Sequence, residues 1–324
     1  MYEQYIPHVL KKYGIVYDTI NSVQKGYRNE SYAVTLPHGE IVNVIVFKNE
    51  PSILEKIHRA DHASQLLSDT LPVRVRHDSR LLKVGNNTYA GVYTYLPGAT
   101  VPWEALTKKH IKLMGQAMAD MHRIWRRESP YDDYTIKDEL TPLVTRMKNY
   151  FSDVSVQQAM LSKLDSTIDS GIFLYLQKLI THIAQLPGQQ IIHMDMVRGN
   201  VLFGEATDEK WRIDNVSIAG VIDFEKTTIG HPLFDIARTL AFLIVDSPKP
   251  EAKIYNYFLD SGYVKRGNGS LPDAKLLTEL IKLFLLHDFY KFLKHTPYES
   301  LRDNYHYTRT YAKLKDYGMI NPKS

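Results

Sequence analysis

The stretch "IIHMDMVRGNVLF", Ile191 to Phe203, sets a histidine, an aspartate and an asparagine between two apolar, β-prone runs. Taken alone it reads as a hairpin, because Arg198, Gly199 and Asn200 are ordinary turn residues. A second stretch changes the reading: in "GVIDFEK" another aspartate, Asp223, ends another apolar run. An aspartate base, an asparagine ligand and a second aspartate ligand form the minimal set for Mg²⁺-dependent phosphoryl transfer. One carboxylate takes a hydrogen bond from the attacking hydroxyl, and hard oxygen ligands hold the cation on the phosphates. Placing the base and one ligand on the same loop fixes them relative to each other.

Composition leaves room for this chemistry. At 324 residues the chain can build two domains or one large unit with two lobes. Its composition, 44% hydrophobic and 23% charged, is that of a soluble globular protein, and a formal charge of +4 spread along the chain implies no nucleic-acid partner. The absence of cysteine excludes disulfides, thiolate catalysis and thiolate metal sites. The amphipathic N-terminus lacks the apolar segment of a signal peptide, and the longest apolar run, "TLAFLIV", is too short to span a bilayer. No membrane partner is implied, and a cytoplasmic location is expected.

The texture of the chain changes near residue 95. Before it, "YRNESYAVTL", "EIVNVIVFK", "VRVRH", "LLKVG" and "TYAGVYTYL" are short β-branched or aromatic runs separated by turn residues, which predicts a sheet of about five strands. One helical stretch, "PSILEKIHRADHASQLLSD", interrupts them. After "YLPGATVP" the pattern is helical: Ile111, Met114, Met118, Met121 and Trp125 recur on one face, a stripe read as core packing. A small β island follows in "QQIIHMD", "NVLFGE" and "SIAGVIDFE". The expected fold is α+β, with a β-rich lobe over residues 1–94 and a mainly helical lobe over residues 95–324.

With these motifs in place, the chain resembles the aminoglycoside phosphotransferase and choline kinase-like family, a branch of the bilobal protein-kinase-like fold. The family's HGDLHPGN, IDFE and GDPxxDLA stretches correspond here to HMDMVRGN, IDFE and GHPLFDIA. The resemblance implies ATP and Mg²⁺ as cofactors and a small-molecule hydroxyl as acceptor. It makes Asp195 the catalytic base and Asn200 and Asp223 the metal ligands. His193 would brace the loop, and Asp235 would tie the loop in place. For Glu225, reaching a second metal and capping its own segment stand as equal uses. Met194, Val197 and His231 depart from the family's usual residues, and Arg198 is either a positive charge near the phosphates or a plain surface residue.

At the nucleotide end, Gly26 and Asn29 in "QKGYRNESYAV" resemble the family's G-x-x-N turn over the phosphates. Lys48, which ends "VNVIVFK", resembles the strand lysine that holds the α and β phosphates. Its acidic partner is either Glu55 or Asp61. "VYTYLPG" resembles the hinge that receives adenine, with the Thr94 carbonyl and the Leu96 amide as its contacts, and His122 matches a packed family histidine. Two other activities fit less of the chain. A protein serine/threonine kinase would want a lysine where Val197 stands, and a non-catalytic nucleotide-binding protein would have no need of all three minimal residues, Asp195, Asn200 and Asp223.

Overall fold

The computed structural model describes residues 2–25, 29–128, 133–205, 215–267, 269 and 271–322. Along the chain lie α1 (Ile6–Tyr13), β1 (Thr19–Lys25), β2 (Asn29–Thr35), β3 (Ile41–Phe47), α2 (Ile53–Gln65), β4 (Leu82–Gly85) and β5 (Thr88–Thr94). Next come α3 (Lys108–Trp125), α4 (Ile136–Ser152), α5 (Val154–Leu164), β6 (Ser166–Thr167), α6 (Gly171–Ala184) and β7 (Gln190–Ile192). They are followed by β8 (Val201–Gly204), β9 (Ser217–Val221), β10 (Thr228–Gly230), α7 (Pro232–Asp246) and α8 (Glu251–Tyr255). The chain ends with α9 (Lys265–Gly267), α10 (Ala274–His295), α11 (Tyr305–Asp316) and β11 (Asn321–Pro322).

These elements form two compact units, residues 1–100 with 199–227, and residues 101–198 with 228–324. Contacts group the β8–β9 hairpin with the sheet-bearing unit, because Ala99 and Phe203 exchange backbone hydrogen bonds at 3.0 and 2.8 Å and Val221 N–H donates to the Pro72 carbonyl at 2.9 Å. The fold class is α+β, as expected.

In the first unit an antiparallel sheet runs in the order β1-β2-β3-β5-β4. β3 reads "IVNVIVF", almost wholly apolar, because both of its faces are covered. Val42, Val44 and Val46 pack with Ile6, Val9, Leu10 and Tyr13 of α1. Ile45 and Phe47 pack with Ile53 and Ile57 of α2 and with Tyr93 of β5. The amphipathic N-terminus is therefore the helix that covers one side of the sheet. Five strands are present, but not the five expected: β1 takes a place, and "VRVRH" forms no named strand. Its backbone bonds are divided between two partners. His77 N–H donates to the Val92 carbonyl at 2.7 Å and Thr94 N–H to the Val75 carbonyl at 2.9 Å, while Pro72 and Val73 pair with Val221 of the hairpin.

In the second unit Ile111, Met114, Met118, Met121 and Trp125 of α3 are fully buried, so the stripe is core. α3 starts with a capping box in which Thr107 and His110 satisfy each other's backbone amides. Its Gly115 lies against a π-helical stretch, Asn256–Val264, so closely that an added Cβ would stand 2.1 Å from the Phe258 carbonyl oxygen. Gly115→Ala should therefore cost about 1–3 kcal/mol through forced displacement of backbone. Thermal unfolding checks this, and an unchanged melting temperature would mean the two helices do not approach so closely. β7 pairs with β10 while β8 pairs with β9, so the β island is two separate ladders rather than one; β6 pairs with β11. Among the described residues no helix is long and apolar enough to cross a membrane.

Candidate active site

Asp195 stands in a loop of the second unit that α7 clamps from below. The Asp235 carboxylate is fully buried and accepts from the His193 amide at 2.8 Å, the Met194 amide at 2.9 Å and His122 Nε2 at 3.0 Å. One helical turn later, Thr239 Oγ1 donates to the Met196 carbonyl at 3.0 Å. His193 Nδ1 accepts from the Asp195 amide at 3.2 Å, and the Val197 amide turns back to the Asp195 carbonyl at 2.7 Å. Two backbone bonds from the preceding residues are thus committed to one carboxylate, which fixes the chain just before Asp195. Burial alone would push the Asp235 carboxyl up. The hydrogen bond and charge of His122 and the bonds from the 193–194 backbone outweigh it and hold the carboxyl below its ordinary range.

The loop carries strain. Met194, standing where the family usually has glycine, has φ 60°, a left-handed conformation that costs a β-carbon residue about 1–2 kcal/mol. Asp195 itself is 8% exposed. On the helix beneath, Arg238 is held by Asp288 of α10 at 2.9 Å, and its guanidinium also feels the charge of Asp195. Arg198 is tied to Asp246 at 3.0 Å and to the Val101 carbonyl at 2.9 Å. His306 holds the other oxygen of Asp246 at 3.2 Å.

Asn200 and Asp223 belong to the first unit, at the two inner ends of the β8–β9 hairpin. Val201 pairs with Val221, and the Ile222 amide donates to the Asn200 carbonyl at 3.0 Å, which brings the two side chains to the same end of the ladder. Asp223 also has a left-handed backbone, φ 67°, which turns its carboxylate out of the strand direction. Both line a cavity of about 260 Å³ together with Asn29, Ser31, Arg74 and Glu225. Glu225 is 7% exposed and accepts from Asn29 Nδ2 at 3.0 Å, so the start of β2 and the segment after Asp223 are joined side chain to side chain. Burial pushes the Glu225 carboxyl well above its ordinary range, and the neighbouring Asp223 carboxylate adds to that rise. Among the described residues its other oxygen is buried with no partner in hydrogen-bonding geometry, a polar atom beside the Asp223 carboxyl that a ligand or cation in the cavity would satisfy.

The donor set suits a hard divalent cation. An aspartate carboxylate and an asparagine amide offer oxygen at one cavity wall, with no thiolate. Among the described residues no group of three or more His, Cys, Asp or Glu gathers as a metal cage. A cation held here takes few protein ligands, the pattern of Mg²⁺ when phosphates and water complete its shell.

The remaining expected residues fall differently. Gly26 lies outside the described residues. Thr94 ends β5, its amide and hydroxyl engaged with Val75. Leu96 packs so close to the hairpin that a Cβ at Gly220 would stand 2.7 Å from its Cδ1. Neither of them lines the cavity. Lys48 does not line it either. Of the two acids considered for it, Asp61 lines the cavity and forms an ion pair with Arg76 at 2.9 Å. The sequence reading passed over Arg74 and Arg76. Their spacing of two in an extended run was the available signal, since it puts both guanidinium groups on one face.

Residues 19–264 match the phosphotransferase enzyme family, and the chain belongs to that family. It is accordingly an enzyme that transfers a phosphoryl group to a hydroxyl acceptor. Among solved structures the fold is similar to that of the amicoumacin kinase hAmiN in complex with AMP-PNP, Ca²⁺ and Ami, with a TM-score of 0.65 at 16% identity over 98% of this chain and 95% of that one. It is similar to a microcompartment-associated aminopropanol kinase, TM-score 0.60 at 17% identity over 93% and 94% of the two chains. The macrolide 2'-phosphotransferase MphH from Brachybacterium faecium gives a TM-score of 0.59 at 15% identity over 95% and 96%. Among curated proteins no sequence matches the chain.

Proposed function

We propose that this phosphotransferase is an ATP- and Mg²⁺-dependent kinase that moves the γ-phosphoryl group of ATP to a hydroxyl of a small molecule such as an aminoglycoside, an amino alcohol or a sugar. The observation that carries the reading is the convergence of Asn200 and Asp223, joined through the Ile222 amide, on one polar cavity. The relatives by fold act, by their names, on amicoumacin, an aminopropanol and a macrolide, all of them small molecules. ATP supply sets the cytoplasm as its working compartment.

Asp195 accepts the hydrogen bond of the acceptor hydroxyl and takes its proton as the oxygen attacks phosphorus. The clamp of Asp235 and Thr239 holds the loop that presents it. Asn200 and Asp223 hold Mg²⁺, and Asn29, fixed by Glu225, lies at the start of β2 where the phosphates are covered. The cation, when bound, neutralises charge on the phosphates.

Mg·ATP should raise the melting temperature in proportion to the logarithm of its concentration above the dissociation constant. Asp223→Asn, which trades a carboxylate for a neutral amide, should weaken Mg·ATP binding about 10–100-fold in a calorimetric titration, the loss of one charged contact. A wild-type melting temperature indifferent to millimolar Mg·ATP would contradict the proposal.

A further inference from the structure

The proposed reaction needs a protein cation beside the nucleotide phosphates, and the sheet register shows where it does not come from. Ser31 pairs with Ile45, and Asn29 with Phe47, and these four residues share the cavity face of the sheet. Between them, Glu30 pairs with Val46 and Tyr32 with Val44, on the face covered by α1. Lys48 lies one residue beyond the end of β3, is not among the residues lining the cavity, and its charge acts on the Glu30 carboxylate, whose strand neighbours face α1. The cavity face of β3 carries Asn43, Ile45 and Phe47 and no cation.

A guanidinium fills that place from another direction. Arg74 lines the cavity from the extended segment beside β5, and Asp223, Glu225, Asn29 and Asn200 line the same cavity. It is positioned from behind. With the Asn43 amide turned so that its nitrogen donates to the Tyr32 carbonyl at 3.1 Å, its oxygen accepts from Arg74 Nε at 3.1 Å and Nη2 at 3.2 Å. Two donors of the fork are used on protein, which fixes its plane, and the other edge is left for a ligand. The segment itself is tied to α2 through the Arg76–Asp61 pair, with Arg74 and Arg76 on one side of it.

We propose that Arg74, in place of Lys48, is the phosphate-holding cation of this enzyme, and that the Arg76–Asp61 pair fixes the segment that delivers it. The assignment rests on the nucleotide reading of the cavity given above. A planar fork already oriented by Asn43 suits phosphate oxygens better than a flexible ammonium does. Burial lowers the Arg74 guanidinium from its ordinary value, and the neighbouring acids Glu225 and Asp223 oppose that fall.

Calorimetric titration with Mg·AMP-PNP and, separately, with adenosine tests the assignment in wild type, Arg74→Gln, Arg74→Lys and Lys48→Ala. Glutamine retains a donor for Asn43 and removes the charge. The expected result is about a 10–100-fold loss of AMP-PNP affinity in Arg74→Gln, a smaller loss in Arg74→Lys, and unchanged adenosine affinity in both. Lys48→Ala should bind AMP-PNP within about threefold of wild type, less than the loss of one charged hydrogen bond. Loss of AMP-PNP affinity in Lys48→Ala with retention in Arg74→Gln would overturn the assignment. So would an equal fall of adenosine and AMP-PNP affinity in Arg74→Gln, which would make the residue a scaffold. A wild type that binds neither ligand would instead remove the nucleotide reading itself.

Discussion

Asp195→Asn is expected to lower kcat by about 10²–10⁴, the range contributed by a positioned general base, while Mg·ATP affinity stays within about threefold of wild type. The substitution is nearly isosteric, and the Asp195 backbone keeps two of the bonds that shape the loop. The Asp195 amide still meets His193 Nδ1, and its carbonyl still receives the Val197 amide. What is lost is the capacity to take a proton and the charge that aligns the acceptor hydroxyl. Because the proposed metal ligands Asn200 and Asp223 are left in place, binding and turnover should separate. A fall in kcat below about tenfold would mean that the proton leaves by another route.

The second large effect belongs to Asp235. Asp235→Asn puts a donor where two backbone amides and His122 already donate, so at least one buried donor faces another donor. Breaking a buried charged network of this kind costs about 3–5 kcal/mol. In a unit of this size that lowers the melting temperature by roughly 10 °C. The pH dependence should change with it. The wild-type carboxyl titrates lower in the folded protein than in the unfolded chain, so its stabilisation is present above the ordinary carboxylate pKa and is lost as pH falls through the depressed folded value. Asp235→Asn should show a shallower acid limb in thermal melts taken between about pH 5 and pH 2, since asparagine has no such proton to bind. A variant as stable as wild type at neutral pH would show that the loop before Asp195 is not held from α7.

Much of this arrangement was readable from residue patterns, and the failures share a cause. The α+β plan followed from period-two runs giving way to period-3.6 runs, and the buried methionine stripe of α3 followed from its spacing alone. The HMDMVRGN and IDFE stretches named residues that the structure distributes between the clamped loop of one unit and the cavity of the other. β3 was harder, because a strand covered on both faces shows no alternation from which to choose the inward side. Lys48, one residue beyond the end of β3, therefore could not be assigned to a face from the residue pattern. "VRVRH" was read as a strand, and nothing local announces that its backbone bonds divide between β5 and the β8–β9 hairpin. Met194 had a visible signal, a bulky residue in a glycine's place, but its φ of 60° depends on the bonds that Asp235 makes to the loop.

The most direct test of the central claim is acceptor-dependent ADP formation from Mg·ATP, measured across amino alcohols, sugars, aminoglycosides and macrolides with wild type and Asp195→Asn side by side. The account predicts that at least one acceptor raises ADP release by wild type well above the acceptor-free rate and yields the phosphorylated acceptor by mass spectrometry, and that Asp195→Asn abolishes most of that increment. Equal acceptor-dependent turnover by wild type and Asp195→Asn would contradict it.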